Sequence, residues 1–262
     1  MTRPDFDALV AAAETASVDG WGFAWLDGRA TEERPSWGYA GLLAGRLGAA
    51  HAVLDVQTGG AEVFSEALDR ASGRPATIAA TDSWPPNLAI AARNLARHGG
   101  SVVAVPDAGP LPFRSATFDL VSSRHPVVAP WAEISRVLAP GSHYFAQHVG
   151  SGSNRELTDF MMGPQPVSGA RSTARANADA TANGLAIVDL REETLRVEFL
   201  DVGAVVWFLR NVIWTVPDFS VERYRDRLVA MHEHIGREGS FVSHAPRVLI
   251  DAVKVPGPAD PG

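Results

Sequence analysis

The chain has 262 residues, 46% of them hydrophobic and 20% charged, with a formal net charge of −7 and no cysteine. That length supports one large domain with its own core, or one domain plus a small lid. The acidic balance gives no electrostatic footprint for non-specific nucleic-acid binding, and the lack of cysteine excludes disulfides, thiolate metal sites and thiol nucleophiles. No run of about 18 apolar residues occurs, so no membrane-spanning helix is expected and the cytoplasm is the expected location.

The first twenty residues read as an amphipathic helix and not as a signal peptide, because Asp5, Asp7 and Glu14 interrupt a short apolar run. A loop rich in Trp, Gly and Pro follows, with Trp21, Trp25, Trp37 and Tyr39, and then a short helix in "GYAGLLAGRLGA". From there the pattern alternates. "HAVLDV", "PATIAAT", "SVVAV", "TFDLVSS" and "HYFAQHV" read as buried strands, and "AEVFSEALDRA", "PPNLAIAARNLARHGG" and "WAEISRVLA" as the helices between them. The second helix has prolines at its start and glycines past its end, as helix termini prefer; the third is expected to close at Pro140–Gly141. Strands alternating with helices predict right-handed βαβ units.

Further on, "NRELTDFMMG", "ARSTARANADATANGL", "DVGAVVWFLRNVIW" and "SVERYRDRLVAMHEHIGREG" read as helices. "IVDLREETLRVEFL" and "SHAPRVLIDAVKV" read as strands that join the sheet edge. The fold class expected is α/β: a Rossmann-like, seven-stranded, mostly parallel sheet with helices on both faces, N-terminal lid helices and a late helical insertion. The expected organisation is a helical lid over residues 1–49, a ligand-binding core over 50–150, a substrate-side helical region with the last strands over 151–254, and a flexible tail over 255–262.

Open parallel sheets bind ligands beyond the carboxyl ends of their strands, so the strand exits are the places to inspect. "VLDVQTGGAE" runs from strand into a glycine turn: Asp55, Gln57, Thr58, Gly59 and Gly60 line it. Its glycines let the backbone approach a ligand, and the helix that follows offers free N–H groups. A tight strand-to-helix turn is the plain alternative. At the second exit, Asp82 either accepts both hydroxyls of a ribose or caps the next helix. At the third, Asp107 either accepts from a purine amine, with the Ala108 backbone alongside, or forms an Asx turn. The fourth exit, "SSRHP", places Ser122, Ser123, Arg124 and His125 toward the cleft.

In this order the motifs resemble the class I S-adenosylmethionine-dependent methyltransferases, over about residues 50–149. "VLDVQTGGAE" is similar to the family's glycine-rich first motif, "ATDSWPPNLAIAARNL" to the ribose-binding acid and its helix, "DAGPLPFRSATFDLV" to the adenine-binding acid and fourth strand, and "EISRVLAPGSHYF" to the helix, turn and fifth strand. The resemblance implies S-adenosylmethionine as cofactor, held by Asp55, Gln57, Thr58, Gly59, Gly60, Asp82, Ser83, Trp84, Asp107, Ala108 and Ser122. The family has glycine where Gln57 and Ala61 stand. Ala61 is expected to open the next helix, where Ala outranks Gly. Gln57 either crowds the methionine part of the cofactor or hydrogen-bonds within the pocket.

Methyl transfer needs chiefly proximity and alignment, helped by a base when the acceptor is a hydroxyl or ammonium. His125 is the candidate base, or it only orders the loop before Pro126. Trp37, Tyr39, Arg124, His148, Asn154, Trp207, Arg210 and Trp214 are the candidate substrate contacts. His232 and His234, two apart, do not share a helical face, and no metal is expected. The function expected is methyl transfer to a small-molecule acceptor, without nucleic acid or membrane as partner. Two alternatives stay open: the same cofactor fold used for cyclisation or elimination, and a non-catalytic binding module.

Overall fold

The computed structural model describes residues 5–18 and 23–256, so Trp21 lies outside the described residues. In chain order the elements are α1 (Phe6–Thr15), β1 (Ala30–Glu32), α2 (Tyr39–Leu47), β2 (Ala52–Val56), α3 (Glu62–Arg70), β3 (Thr77–Asp82), α4 (Pro85–Ala96), β4 (Ser101–Ala104), β5 (Phe118–Arg124), α5 (Trp131–Val137), β6 (Leu138–Val149), α6 (Arg155–Met162), α7 (Thr173–Ala182), β7 (Leu185–Phe199), α8 (Val202–Asn211), α9 (Arg225–Glu238) and β8 (Phe241–Lys254).

The strands form a sheet in the order β1-β7-β8-β6-β5-β2-β3-β4. The run from β4 through β3, β2 and β5 to β6 is parallel, and β8 pairs antiparallel with β6. Eight strands stand where seven are expected. The additional one is β1, three residues paired antiparallel with the end of β7. Such a piece is too short to leave a period-2 signal in sequence.

The helix expected to close at Pro140–Gly141 ends three residues earlier, and Leu138 already belongs to β6. Proline has no N–H and biases the residue before it to extended backbone, so "LAPG" enters the sheet instead of the helix. The extra length is absorbed by a bulge: Phe118 faces Leu138, but Leu120 faces His143.

The chain divides into two compact units. The larger takes Pro35–Gly150, Gly169–Glu193 and the residues from Arg247 on; the smaller takes the residues up to Arg34, Ser151–Ser168 and Thr194–Pro246. They are not contiguous segments, because β7 and β8, 15 and 14 residues long, each belong to both.

In the larger unit the pleat sorts the core into two clusters. Ala52, Leu54, Val56, Tyr144, Ala146, Val248 and Ile250 join one, while the alternating Val53, Phe145 and Leu249 join the other. Both faces of these strands are buried, which is why they read as continuous apolar runs. Asp119, at the bulge, accepts from the N–H groups of His51 and Ala52 and fixes where β2 begins.

The smaller unit has its own core, centred on α8, whose residues Val202–Trp207 are all buried. Asp201 caps α8 through the Ala204 N–H at 2.9 Å and takes two hydrogen bonds from Arg29 at 2.8 and 2.7 Å. Among the described residues no helix is long and apolar enough to cross a membrane.

Candidate functional site

The exits of β2 to β6 lie in the larger unit. At Gln57 and Ala61 the first loop keeps the backbone that glycine would supply, without glycine. Gln57 has φ 55°, Gly59 φ 63° and Ala61 φ 59°, all left-handed. Ala61 is therefore not a helix-opening residue in helical conformation; α3 starts at Glu62, and the helix propensity of Ala brings nothing at position 61. Left-handed backbone costs an L-residue about 1–2 kcal/mol, so the loop is held against local preference by its surroundings. Gly59 faces open space, since an added Cβ would meet nothing within 4 Å.

The surroundings that hold it are specific. The Gln57 side chain donates to the carbonyl oxygens of Val128 at 2.6 Å and Asp107 at 3.3 Å, and accepts from the Val127 N–H at 2.7 Å. One amide thus ties the exits of β2, β4 and β5. Asp55 is buried and accepts from the Ser122 hydroxyl at 2.5 Å. Burial pushes its carboxyl up to about 6, against that hydrogen bond. No salt bridge reaches Asp55 among the described residues.

Asp82 closes the second exit. Its carboxylate accepts from the Gly59 N–H at 2.9 Å, the Trp84 N–H at 3.0 Å and the Asn87 amide at 3.1 Å. A carboxylate has about four acceptor positions, so roughly one is left for a ligand. Ser83 and Trp84 are exposed beside it, as is Ala108 beyond β4, while Asp107 is half-buried. The segment between β4 and β5 is stapled by an ion pair on α5. Glu133 accepts from the Leu111 N–H at 2.6 Å, and Arg136 donates to the carbonyl oxygens of Leu111 and Phe113. This explains why "LPF" and "E…RVL" occur together.

At the exits of β5 and β6, Arg124 is exposed and His125 half-buried. His125 has φ 57°, and both its backbone and its ring meet Gln147: its N–H donates to the Gln147 carbonyl at 2.7 Å, and its Nε2 lies 2.8 Å from the Gln147 amide nitrogen. Gln147 in turn accepts from Trp37 Nε1–H at 2.9 Å. Burial, then the cations Arg124 and Arg247, hold His125 well below its ordinary value, so the ring is neutral at pH 7. His148, 2.9 Å from the Tyr144 hydroxyl, is lowered by burial to about 4.

Of the expected substrate contacts, Trp37 and Tyr39 are buried here. Tyr39 stacks on Phe145 at 5.3 Å and donates to the Ser123 carbonyl. Asn154, Trp207, Arg210 and Trp214 belong to the smaller unit. There Trp207 is buried with its Nε1–H on the Ser17 carbonyl, Arg210 donates to the carbonyls of Ala13 and Ala16, and Asn154 precedes α6 with φ 55°. Trp214 is exposed. Sequence reasoning missed Asn87, Gln147, Arg171 and Arg247. The only signal for Gln147 was a polar residue inside the apolar run "YFAQHV".

Residues 54–146 match the family model described as a methyltransferase domain. Among solved structures the chain is similar to the YcgJ protein of Bacillus subtilis, 16% identical over 84% of this chain and 99% of that one, with a TM-score of 0.59. It is similar to the (4+2)-cyclase SpnF, 17% identical over 96% and 93%, TM-score 0.52. It is also similar to phosphoethanolamine N-methyltransferase 2 of Haemonchus contortus, solved with phosphomonomethylethanolamine and S-adenosylhomocysteine, 16% identical over 84% and 53%, TM-score 0.50. At these identities the likeness shows the fold. Among curated proteins no sequence matches.

Proposed function

We infer that the chain binds S-adenosylmethionine and methylates a small-molecule acceptor at the exits of β2 to β6, a reading supported by the methyltransferase-domain match over residues 54–146. The observation that supports this reading most is the first loop. Two positions that lack glycine still hold the left-handed backbone, Gly59 faces open space, and the Asp82 carboxylate secures the Gly59 N–H. A chain with no use for this loop would relax it, since each such residue is strained.

The residues present fit the cofactor. When bound, S-adenosylmethionine supplies an electrophilic methyl group on a sulfonium. Gly59 and Gly60 would let the backbone lie against it. Asp55, buried and without a salt bridge among the described residues, would face its ammonium group, and the remaining acceptor position of Asp82 a ribose hydroxyl. Asp107 and Ala108 would border the adenine. Ser122, donating to Asp55, orients that carboxylate. The net charge of −7 disfavours a large polyanion as acceptor, which favours a small one.

Gln57 supports a second reading. An amide that ties three exits together could reshape the pocket so that the bound cofactor assists a cyclisation or elimination, and the SpnF cyclase shares this fold. Calorimetry with S-adenosylmethionine and S-adenosylhomocysteine tests the cofactor reading, and absence of binding to both in folded protein would overturn it. Product masses then separate the two reactions: an acceptor heavier by one methyl group supports transfer, whereas an acceptor of unchanged mass, or one lighter by an expelled fragment, supports cyclisation or elimination.

A further inference from the structure

A neutral histidine has one donor and one acceptor nitrogen, and hydrogen bonds decide which is which. Trp37 Nε1–H can only donate, so the Gln147 atom facing it is the carbonyl oxygen. The other end of that amide, turned to His125 Nε2 at 2.8 Å, is then the NH₂ group, which can only donate. His125 Nε2 is the acceptor, and the ring proton sits on Nδ1. Among the described residues Nδ1 has no hydrogen-bond partner, nor is it one of the fully buried atoms left unsatisfied. The strained backbone of His125, bonded to the same Gln147, holds the ring in place.

The same end of the sheet collects guanidinium groups. Arg124 stands opposite Gln147 across β5 and β6, and Arg247 opposite Val149 across β6 and β8. Arg171 reaches the Val127 carbonyl, two residues beyond His125, at 3.4 Å. The cations acting on the His125 ring are Arg124, Arg247 and Arg171. In a chain with a net charge of −7, guanidinium groups gathered at one end of the sheet are suited to an anion.

We propose that the Nδ1–H of His125, with Arg124, Arg171 and Arg247, recognises an oxyanion on the acceptor, a carboxylate or a phosphate. This rests on the methyl-transfer reading and names the class of its substrate. His125 then acts as a hydrogen-bond donor that orients the acceptor, positioned through Gln147 by Trp37. Planar guanidinium forks match both oxyanions, which accept several charge-assisted hydrogen bonds at once.

The test uses the full chain with ¹⁵N-labelled histidine, titrated with inorganic phosphate and, separately, acetate. Expected is an Nδ1–H tautomer for His125 before titration and saturable shifts of its ring signals with at least one anion; which one responds distinguishes phosphate from carboxylate. Arg171→Gln and Arg124→Gln, both exposed positions, should each weaken that binding by about tenfold. An Nε2–H tautomer, no shift with either anion, or shifts indifferent to both substitutions would overturn the proposal. S-adenosylhomocysteine is titrated in parallel. Its binding without any anion response sinks the oxyanion site and leaves methyl transfer standing; anion binding without it supports the site and sinks the methyl-transfer reading.

Discussion

Gln57 and Val128 are 71 residues apart and joined by a 2.6 Å hydrogen bond from the glutamine amide to the valine carbonyl. With its bonds to Asp107 and Val127, this side chain does what a glycine at the same position cannot: it locks three strand exits to one another. Replacing Gln57 by Gly removes about 1–2 kcal/mol of backbone strain but also three hydrogen bonds of about 1 kcal/mol each, so the variant should be less stable by about 1–2 kcal/mol. Local order should change far more. The Val127 amide should lose protection in hydrogen exchange, and unaltered protection there would show that Gln57 is not the tie.

Asp82 holds three donors in the absence of any ligand. Asp82→Ala should therefore destabilise the cofactor-free protein by about 2–3 kcal/mol, because buried N–H groups lose a charged acceptor. Urea denaturation without ligand reads this directly. A variant as stable as the wild type, yet weaker in cofactor binding, would make Asp82 a ligand contact alone.

Ala116 is exposed and has φ 53° in the turn before β5. Glycine adopts that backbone without the Cβ penalty, so Ala116→Gly should stabilise by about 0.5–1 kcal/mol, the reverse of the usual Ala-to-Gly effect. A thermal scan showing a lower midpoint would contradict the left-handed assignment.

Asp55 gives the stability a pH signature. Its folded pKa, about 6, lies above its ordinary value of 3.8, so the folded state binds the proton more tightly. Its contribution is fully present below about pH 4 and is lost as pH rises through 6. His148 runs the other way: lowered from 6.5 to about 4, it stabilises above 6.5 and that stability is lost as pH falls through 4. The two oppose each other between these values. Asp55→Asn, which keeps an acceptor for Ser122, removes one arm. Its stability relative to wild type should fall steadily from about pH 7 to about pH 4, and a pH-independent difference would refute the buried, raised carboxyl.

The sequence by itself determined the alternation of strands and helices from β2 to β6, because both faces of those strands are buried and their apolar runs are uninterrupted. It also placed Asp55, Gly59 and Asp82 at strand exits, since their positions are fixed relative to their own strand ends. Tertiary structure alone decided what long-range partners impose. Gln57 and Ala61 read as departures from glycine, yet both are left-handed, and Gln57 is tied there by partners 50 to 71 residues away. β1 exists only because the end of β7 offers it an edge. Trp37 read as a substrate contact, but its indole N–H reaches Gln147, 110 residues on, and through it sets the proton on His125. Local propensity fixes an element, whereas a side chain's hydrogen-bond partner depends on which distant strands lie side by side. That information is in the packing, not in any window of the sequence.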